Sequence, residues 1–190
     1  MALTPTKNIP LGFNAPDFEL QDTITGKTFS LNDLRGSKAT VVAFICNHCP
    51  YVIHIREKLV EIADKYEVEG INFIAINSND IEKYPEDSPE KMKELATALN
   101  FPFPYLFDES QEVAKKYDAA CTPDFSVFDE NLLCIYRGRF DESRPGNDIP
   151  VTGDDLSEVL EAVLSGDDVS QEQLPSMGCN IKWKPGNEPK

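Results

Sequence analysis

The sequence is poor in basic residues and has no long apolar run. It contains 18 Lys and Arg against 33 Asp and Glu, which gives a formal net charge of −15. Such an excess of negative charge disfavours binding to a nucleic-acid backbone or to an anionic membrane surface. No apolar run approaches the roughly 20 residues that a membrane-spanning helix needs. We therefore expect no nucleic-acid partner and no membrane partner.

An export signal and a disulfide framework are also missing from the pattern. The N-terminus shows no basic segment followed by an apolar core, which is the form of a signal peptide. The chain has an odd number of cysteines at uneven spacing: Cys46, Cys49, Cys121, Cys134 and Cys179. Structural disulfides need cysteines in pairs and are rare in the cytosol. We expect reduced thiols, some of them redox-active, in a cytoplasmic protein.

The stretch around Cys49 joins a strand to a helix. Residues 40–45 form a short, unbroken apolar run, which is typical of a buried strand. From Val52 to Tyr66 apolar residues recur at helical spacing, and Pro50 suits the first helical position. Cys49 is therefore predicted to be the N-cap. A sulfur at that position faces unpaired backbone N–H groups and the positive end of the helix dipole, which both favour the thiolate.

The rest of the chain alternates between strand and helix patterns. Buried strands are predicted at 71–76, 125–128 and 133–136, and a hairpin is predicted around Gly26. This alternation implies an α/β fold with a central mixed sheet flanked by helices and an N-terminal hairpin extension.

No second core is visible, so residues 1–190 are predicted to form a single domain. Its core is expected from about residue 12 to residue 165, with a polar C-terminal tail over 166–190. Residues 77–89 are rich in Asn, Asp, Glu and Pro. We predict that this insert is a solvated loop.

Several stretches resemble a known superfamily. They run from Gly12 to Phe18, from Cys46 to Val52, and through Cys121-Thr122-Pro123-Asp124-Phe125. In these stretches the sequence resembles the thioredoxin superfamily, in the branch of alkyl hydroperoxide reductases and thiol-specific antioxidants. The tail from Gly178 to Gly186 is similar to peroxiredoxin-like proteins of unassigned substrate. The resemblance implies a thioredoxin-like fold and a thiol-based oxidoreductase without a cofactor.

The same resemblance assigns roles around the nucleophile. It implies that Cys49 attacks the substrate and that Pro123 is a cis-proline lying against it. Thr122 would offer backbone groups to an extended thiol substrate. By their position next to Cys49, Pro50 and His48 are also predicted to bind substrate, and the alternative for His48 is an exposed loop histidine.

The chain departs from the family pattern in three ways. Thioredoxins have a second cysteine three residues after the nucleophile, where this chain has Val52. Peroxiredoxins have a threonine three residues before the nucleophile, where this chain has Cys46. They also have an arginine ahead of the later strand, which is missing around Pro123. By this comparison the peroxidase apparatus is incomplete.

Three further cysteines are candidates for resolving an oxidised Cys49. Cys46 forms a Cys-x-x-Cys motif with it, or is buried in the sheet. Cys121 adjoins the expected cis-proline, or faces the core. Cys179, on the tail, folds over the site as a resolving thiol, or packs the tail down. Cys134 has apolar neighbours and is predicted to be a core residue.

Three functions fit these residues. The first is an enzyme that acts on a thiol or disulfide protein or on a peroxide and is recycled by a thiol reductant. The second is a redox sensor without turnover. The third is a metal-binding module with Cys46, His48 and Cys49 as ligands. The chain has no histidine after His54, which disfavours a larger ligand set, and we predict no metal.

Overall fold

The computed structural model describes residues 3–189. Within them the strands are β1 (Leu3–Pro5), β2 (Glu19–Asp22), β3 (Thr28–Ser30), β4 (Ala39–Phe44), β5 (Ile71–Asn77), β6 (Tyr105–Phe107), β7 (Cys121–Thr122), β8 (Asp124–Asp129), β9 (Cys134–Gly138) and β10 (Met177–Asn180). The α-helices are α1 (Leu31–Leu34), α2 (Pro50–Glu67), α3 (Pro89–Ala98), α4 (Glu112–Lys116) and α5 (Asp154–Ser165), and Pro85–Asp87 forms a short 3₁₀ helix.

Seven strands form the central sheet, in the order β3-β2-β6-β5-β4-β8-β9. β4 and β6 both run parallel to β5, whereas the other neighbours are antiparallel. Helices α2, α3 and α5 contribute to the apolar cluster on one face, and α1 and α4 to the cluster on the other. The predicted thioredoxin-like α/β fold, with its mixed sheet and N-terminal hairpin of β2 and β3, is confirmed.

The central position of β4 explains why its sequence is a continuous apolar run. All six of its residues are buried, because β5 and β8 flank it and helices cover both faces. A strand buried on both faces is apolar throughout instead of alternating. The apolar stripe of α2 packs on the face that carries Val41 and Ala43.

The C-terminal tail contains a strand of a second, three-stranded sheet. β10 lies between β1 and β7 and is antiparallel to both. Cys179 is opposite Thr122, and its neighbour Gly178 lies against the Thr122 backbone. A Cβ on Gly178 would be 2.0 Å from the Thr122 carbonyl oxygen. Only glycine allows β10 to come this close.

The polar insert after β5 is not the solvated loop that its composition predicts. Asn77, Ser78, Asn79 and Asp80 are buried, and Asp87 is fully buried. Buried polar groups need hydrogen-bond partners, and these residues bind both the cysteine loop and the tail, as described below.

No helix in residues 3–189 has the length and apolar character required to cross a membrane.

Candidate active site

Cys49 lies at the start of α2, as predicted. Pro50 is the first residue of the helix and Cys49 is its N-cap. The side chain of Cys49 is 0% exposed, and its Sγ lies 3.1 Å from the carbonyl oxygen of Thr122. The peptide bond between Thr122 and Pro123 is cis. The strand end, the helix start and the cis-proline loop therefore meet at one sulfur.

Two other thiols flank this sulfur. Cys46 follows β4, and its Sγ lies 3.4 Å from Thr122 Oγ1. Cys179 projects from β10 directly opposite Thr122. Hydrogen bonding from both thiols is among the causes that lower the pKa of Cys49, and both thiols are buried in the same apolar cluster.

These contacts give the three thiols different proton affinities. The hydrogen bond from Cys46 is the main cause that lowers the pKa of Cys49 to about 4, against the opposing effect of burial. The hydrogen bond from Cys179 lowers this pKa further. Conversely, the bond to Cys49 raises the pKa of Cys46 well above its usual range, and burial raises that of Cys179 to about 12.

The N-terminus of α2 lowers the pKa of Cys49 less than the predicted N-cap position suggests. The Sγ of Cys49 makes no capping hydrogen bond to the first turn of α2. The backbone of Val52 lowers the pKa of Cys49, but less than the neighbouring thiols do. The side chain of Thr122 also lowers the pKa of Cys49, and the Thr122 carbonyl oxygen accepts a hydrogen bond from Cys49 Sγ at 3.1 Å.

Asp87 is a site residue that sequence reasoning missed. Its Oδ1 accepts hydrogen bonds from the backbone N–H groups of Asn47, at 2.8 Å, and His48, at 3.3 Å. Its Oδ2 lies 2.7 Å from His48 Nδ1 and accepts from Asn79 Nδ2 at 2.8 Å. One carboxylate therefore holds the loop that precedes Cys49. A signal was available, because polar residues follow β5 at the same sheet edge where the cysteines follow β4.

His48 belongs to this polar network. The hydrogen bond to Asp87 raises the pKa of His48, and its ring stacks on Tyr84 with centroids 5.2 Å apart. Candidate ligand atoms of Cys46, His48 and Asp87 lie within 4.8 Å of one another. However, both oxygens of Asp87 already accept hydrogen bonds, so these atoms form a bonded network. The absence of a metal stays a prediction.

Cys121 and Cys134 lie elsewhere. Cys121 is adjacent to Thr122 in β7 and so points to the opposite face, where its Sγ lies 3.5 Å from Pro123 O and 4.0 Å from Thr6 Oγ1. Cys134 is buried in the second apolar cluster, and its Sγ donates to Tyr136 O at 3.3 Å. Its predicted core position is confirmed.

A cavity of about 180 Å³ lies beside the cis-proline, and its lining includes Tyr51, His54, Pro123 and Met177. His54 is partly buried, and its Nε2 is 3.1 Å from Ser143 Oγ. The lining of this cavity combines residues of α2, the cis-proline loop and β10.

Comparison with known families matches residues 11–137 to the AhpC/TSA family. The chain belongs to the AhpC/TSA family. It is similar over 98% of its length to 98% of an uncharacterized conserved protein from Geobacillus kaustophilus, with 54% identity and a TM-score of 0.96. Comparison with curated proteins gave no match.

Two more distant structures share the fold of this AhpC/TSA protein. The thioredoxin domain of a thiol-disulfide oxidoreductase from Bacteroides vulgatus is 17% identical over 80% of this chain and 99% of that one, with a TM-score of 0.61. Peroxidoxin BcpB from Mycobacterium tuberculosis is 18% identical over 84% of this chain and 98% of that one, with a TM-score of 0.61.

In this AhpC/TSA protein the strand edge beside Pro123 is already paired. The edge of β7 at Thr122, expected to meet an extended substrate, pairs with Cys179 of the same chain. Arg137, a buried arginine on β9, donates to Asp124 and Ser126. The substrate-binding roles of Thr122, Pro123, Pro50 and His48 stay predictions.

Proposed function

We propose that this AhpC/TSA protein is a thiol-dependent oxidoreductase in which Cys49 is the attacking thiolate. The observation that carries the proposal is the position of Cys49 at the N-cap of α2, against the cis-proline loop and beside two further thiols, where its pKa is lowered to about 4. A thiolate, not a thiol, is the nucleophile that attacks a peroxide or a disulfide. At neutral pH, Cys49 is therefore charged, whereas the other cysteines remain protonated.

The surroundings of Cys49 favour a small oxidant over a protein disulfide. Cys49 is 0% exposed, and β10 occupies the strand edge next to it. A hydroperoxide needs only a narrow path to the sulfur, whereas a polypeptide would have to displace β10. In the proposed reaction the thiolate takes one oxygen from the hydroperoxide, which leaves as the alcohol after gaining a proton. Cys49 becomes a sulfenic acid, and a thiol reductant later restores it.

The test is hydroperoxide consumption in the presence of a small dithiol reductant. We expect Cys49→Ser to abolish turnover, because a serine hydroxyl is not ionised at neutral pH. Cys134→Ser is the matched control, since it removes a buried thiol away from the site and keeps a donor for Tyr136 O. Turnover by Cys49→Ser at the wild-type rate would refute the proposal.

A redox sensor without turnover is the second candidate, and the burial of Cys49 favours it. A buried thiolate reacts slowly unless the chain opens, and slow oxidation followed by capture of a partner defines a sensor. Counting the peroxide molecules consumed per protein separates the two functions. Many turnovers support the enzyme, and a single oxidation event supports the sensor. The cytoplasmic location stays a prediction.

A further inference from the structure

Two thiols contact Cys49, and the structure gives them different surroundings. We propose that Cys179, carried by β10, is the thiol that resolves oxidised Cys49, and that Cys46 stays reduced throughout the cycle. This inference rests on the proposed function and names the internal partner of the same site.

The register of β10 sets the direction of Cys179. Residues directly opposite each other in an antiparallel pair project to the same face. Cys179 is opposite Thr122, whose hydroxyl lies 3.4 Å from Cys46 Sγ, so Cys179 projects toward the cysteine loop. Asn180 is opposite Cys121, and that pair projects away from the loop. The register therefore favours Cys179 over Cys121 as the thiol that attacks oxidised Cys49.

Cys46 is held in a less favourable place for attack on Cys49. It lies directly between the central strand β4 and the loop that Asp87 binds through two backbone N–H groups. A disulfide between Cys46 and Cys49 would have to form inside this fixed loop. Burial raises the pKa of both thiols, but the carboxylate of Asp87 further opposes ionisation of Cys46, whereas the Lys182 ammonium favours ionisation of Cys179. An attacking thiol must lose its proton.

Cys179 belongs to a smaller sheet outside the central one. β10 is held beside the cis-proline loop by Ser176 Oγ, which donates to Pro123 O at 2.7 Å, and by Ile181 N, which donates to Ala120 O at 3.1 Å. The absence of a side chain at Gly178 lets the strand approach Thr122. β10 pairs with β1 and β7 and not with a strand of the central sheet, so a shift of β10 breaks no hydrogen bond of β4.

Asn79 ties the position of Cys179 to that of Cys49. Its Nδ2 donates to Asp87 at 2.8 Å, and Asp87 holds the loop before Cys49. Its Oδ1 accepts from the backbone N–H of Lys182 at 2.8 Å, three residues after Cys179. A single buried amide therefore positions both reacting segments.

The proposed step is balanced without a further oxidant. The sulfur of Cys179 attacks the sulfenic sulfur of Cys49, and an S–S bond forms as the S–O bond breaks. The hydroxyl leaves as water after taking the proton of the Cys179 thiol. The two electrons that reduced the hydroperoxide therefore come from Cys49 and Cys179 together. An external thiol reductant then returns both cysteines to the reduced state.

The test is disulfide mapping by mass spectrometry after treatment of the reduced full-length protein with one equivalent of hydroperoxide. We expect a Cys49–Cys179 bond in the wild type and in Cys46→Ser. In Cys179→Ser we expect Cys49 to persist as a sulfenic acid that a dimedone-type probe labels. Serine keeps the size and the hydrogen-bonding ability of each thiol, so both variants are matched to the wild type.

The possible results separate the two proposals. A Cys49–Cys46 or Cys49–Cys121 bond in the wild type overturns the choice of Cys179 and leaves Cys49 as the nucleophile. Persistent sulfenic acid on wild-type Cys49, or a bond between two chains, also overturns it. If Cys49 is not oxidised in any form, the proposed function fails as well. The wild-type mapping decides the matter even if a variant does not fold.

Discussion

Cys49 lies between two regions that hold their thiols in different ways. Cys46 is fixed between the central strand β4 and a loop anchored by the buried Asp87. Cys179 is on β10, which pairs with only two short strands in a separate sheet. The first region has its hydrogen bonds inside the core of the fold, whereas the second is bound to the core mainly through the cis-proline loop and Asn79.

Because their surroundings differ, two neighbouring thiols can have separate tasks. A thiol on a rigid support is suited to stabilising the charge on Cys49, because its hydrogen bond needs a constant geometry. A thiol on a peripheral strand is suited to forming and breaking a bond, because that step needs sulfur atoms to move.

The largest effect is expected from Asp87→Ala on the Cys46 side. This change leaves the backbone N–H groups of Asn47 and His48, and the amide of Asn79, without their acceptor. We expect the free energy of unfolding, measured in urea, to fall by about 3–5 kcal/mol. The exposed neighbour Glu86→Ala is the control and should change it by less than about 0.5 kcal/mol. Equal small effects from both variants would contradict the role of Asp87 as an anchor.

Gly178→Ala tests the Cys179 side. The new Cβ would lie 2.0 Å from the Thr122 carbonyl oxygen, so β10 must move away. We expect a loss of about 1–3 kcal/mol in stability, together with slower disulfide formation and faster alkylation of Cys49 by iodoacetamide. Gly186→Ala is the control for the two rates only, because its Cβ would meet nothing within 4 Å, whereas its φ of +81° strains any side chain and lowers stability by itself. If Gly178→Ala left both rates unchanged, β10 would not cover the site.

Cys46→Ala tests charge stabilisation through the pH dependence of the thiolate, followed by its ultraviolet absorbance. In the wild type the pKa of Cys49 is lowered to about 4, mainly by the hydrogen bond from Cys46. Without that donor we expect the titration to move to higher pH, with about a tenfold loss of thiolate per pKa unit below the midpoint. Cys46→Ser keeps a donor, so its titration midpoint should lie between those of the wild type and Cys46→Ala. An unshifted titration in Cys46→Ala would contradict the assignment.

The same titration makes stability depend on pH. The pKa of Cys49 is lower in the folded chain than the value of 9.0 expected for a free thiol. Its stabilising contribution is therefore complete above pH 9 and is lost as the pH falls through about 4. We expect the stability difference between the wild type and Cys49→Ser to grow from pH 4 to pH 9. A constant difference over this range would show that Cys49 ionises normally.

The smallest effect is expected from Ser176→Ala. This change removes the 2.7 Å hydrogen bond to Pro123 O and leaves the β10 ladder in place. We expect a loss of about 0.5–1.5 kcal/mol and a modest increase in Cys49 alkylation. Ser170→Ala is an exposed control on the same tail. A larger effect from Ser170→Ala than from Ser176→Ala would place the attachment of the tail elsewhere.

Local rules predicted the part of the site that is local in sequence. The apolar run, Pro50 and the helical stripe after it were sufficient to place Cys49 at the N-cap, since strand and helix patterns depend on nearby residues. The central sheet and the N-terminal hairpin followed from the same patterns. The resemblance added the cis peptide bond before Pro123, which no pattern of apolar residues indicates.

Long-range polar contacts could not be predicted in this way. Asp87 lies 39 residues after His48, which it binds, and Asn79 meets Lys182 from the far end of the chain. In the sequence, a polar segment between a strand and a helix has the same composition whether it is solvated or buried with partners. Only the packing of β10 and the cysteine loop against this segment separates the two cases.

β10 pairs with the edge of β7 at Thr122. Any polypeptide that binds this edge must therefore compete with a strand of the same chain. Linkage through a short flexible segment gives a tethered strand an effective concentration in the millimolar range. A foreign polypeptide can bind the edge at Thr122 only if its concentration exceeds this effective concentration or if β10 has detached. A synthetic peptide with the sequence of residues 174–184 should therefore expose Cys49 to alkylation only at millimolar concentrations, and exposure at micromolar peptide would show that the strand is loosely held. The chain in effect carries its own competitive ligand for this strand edge.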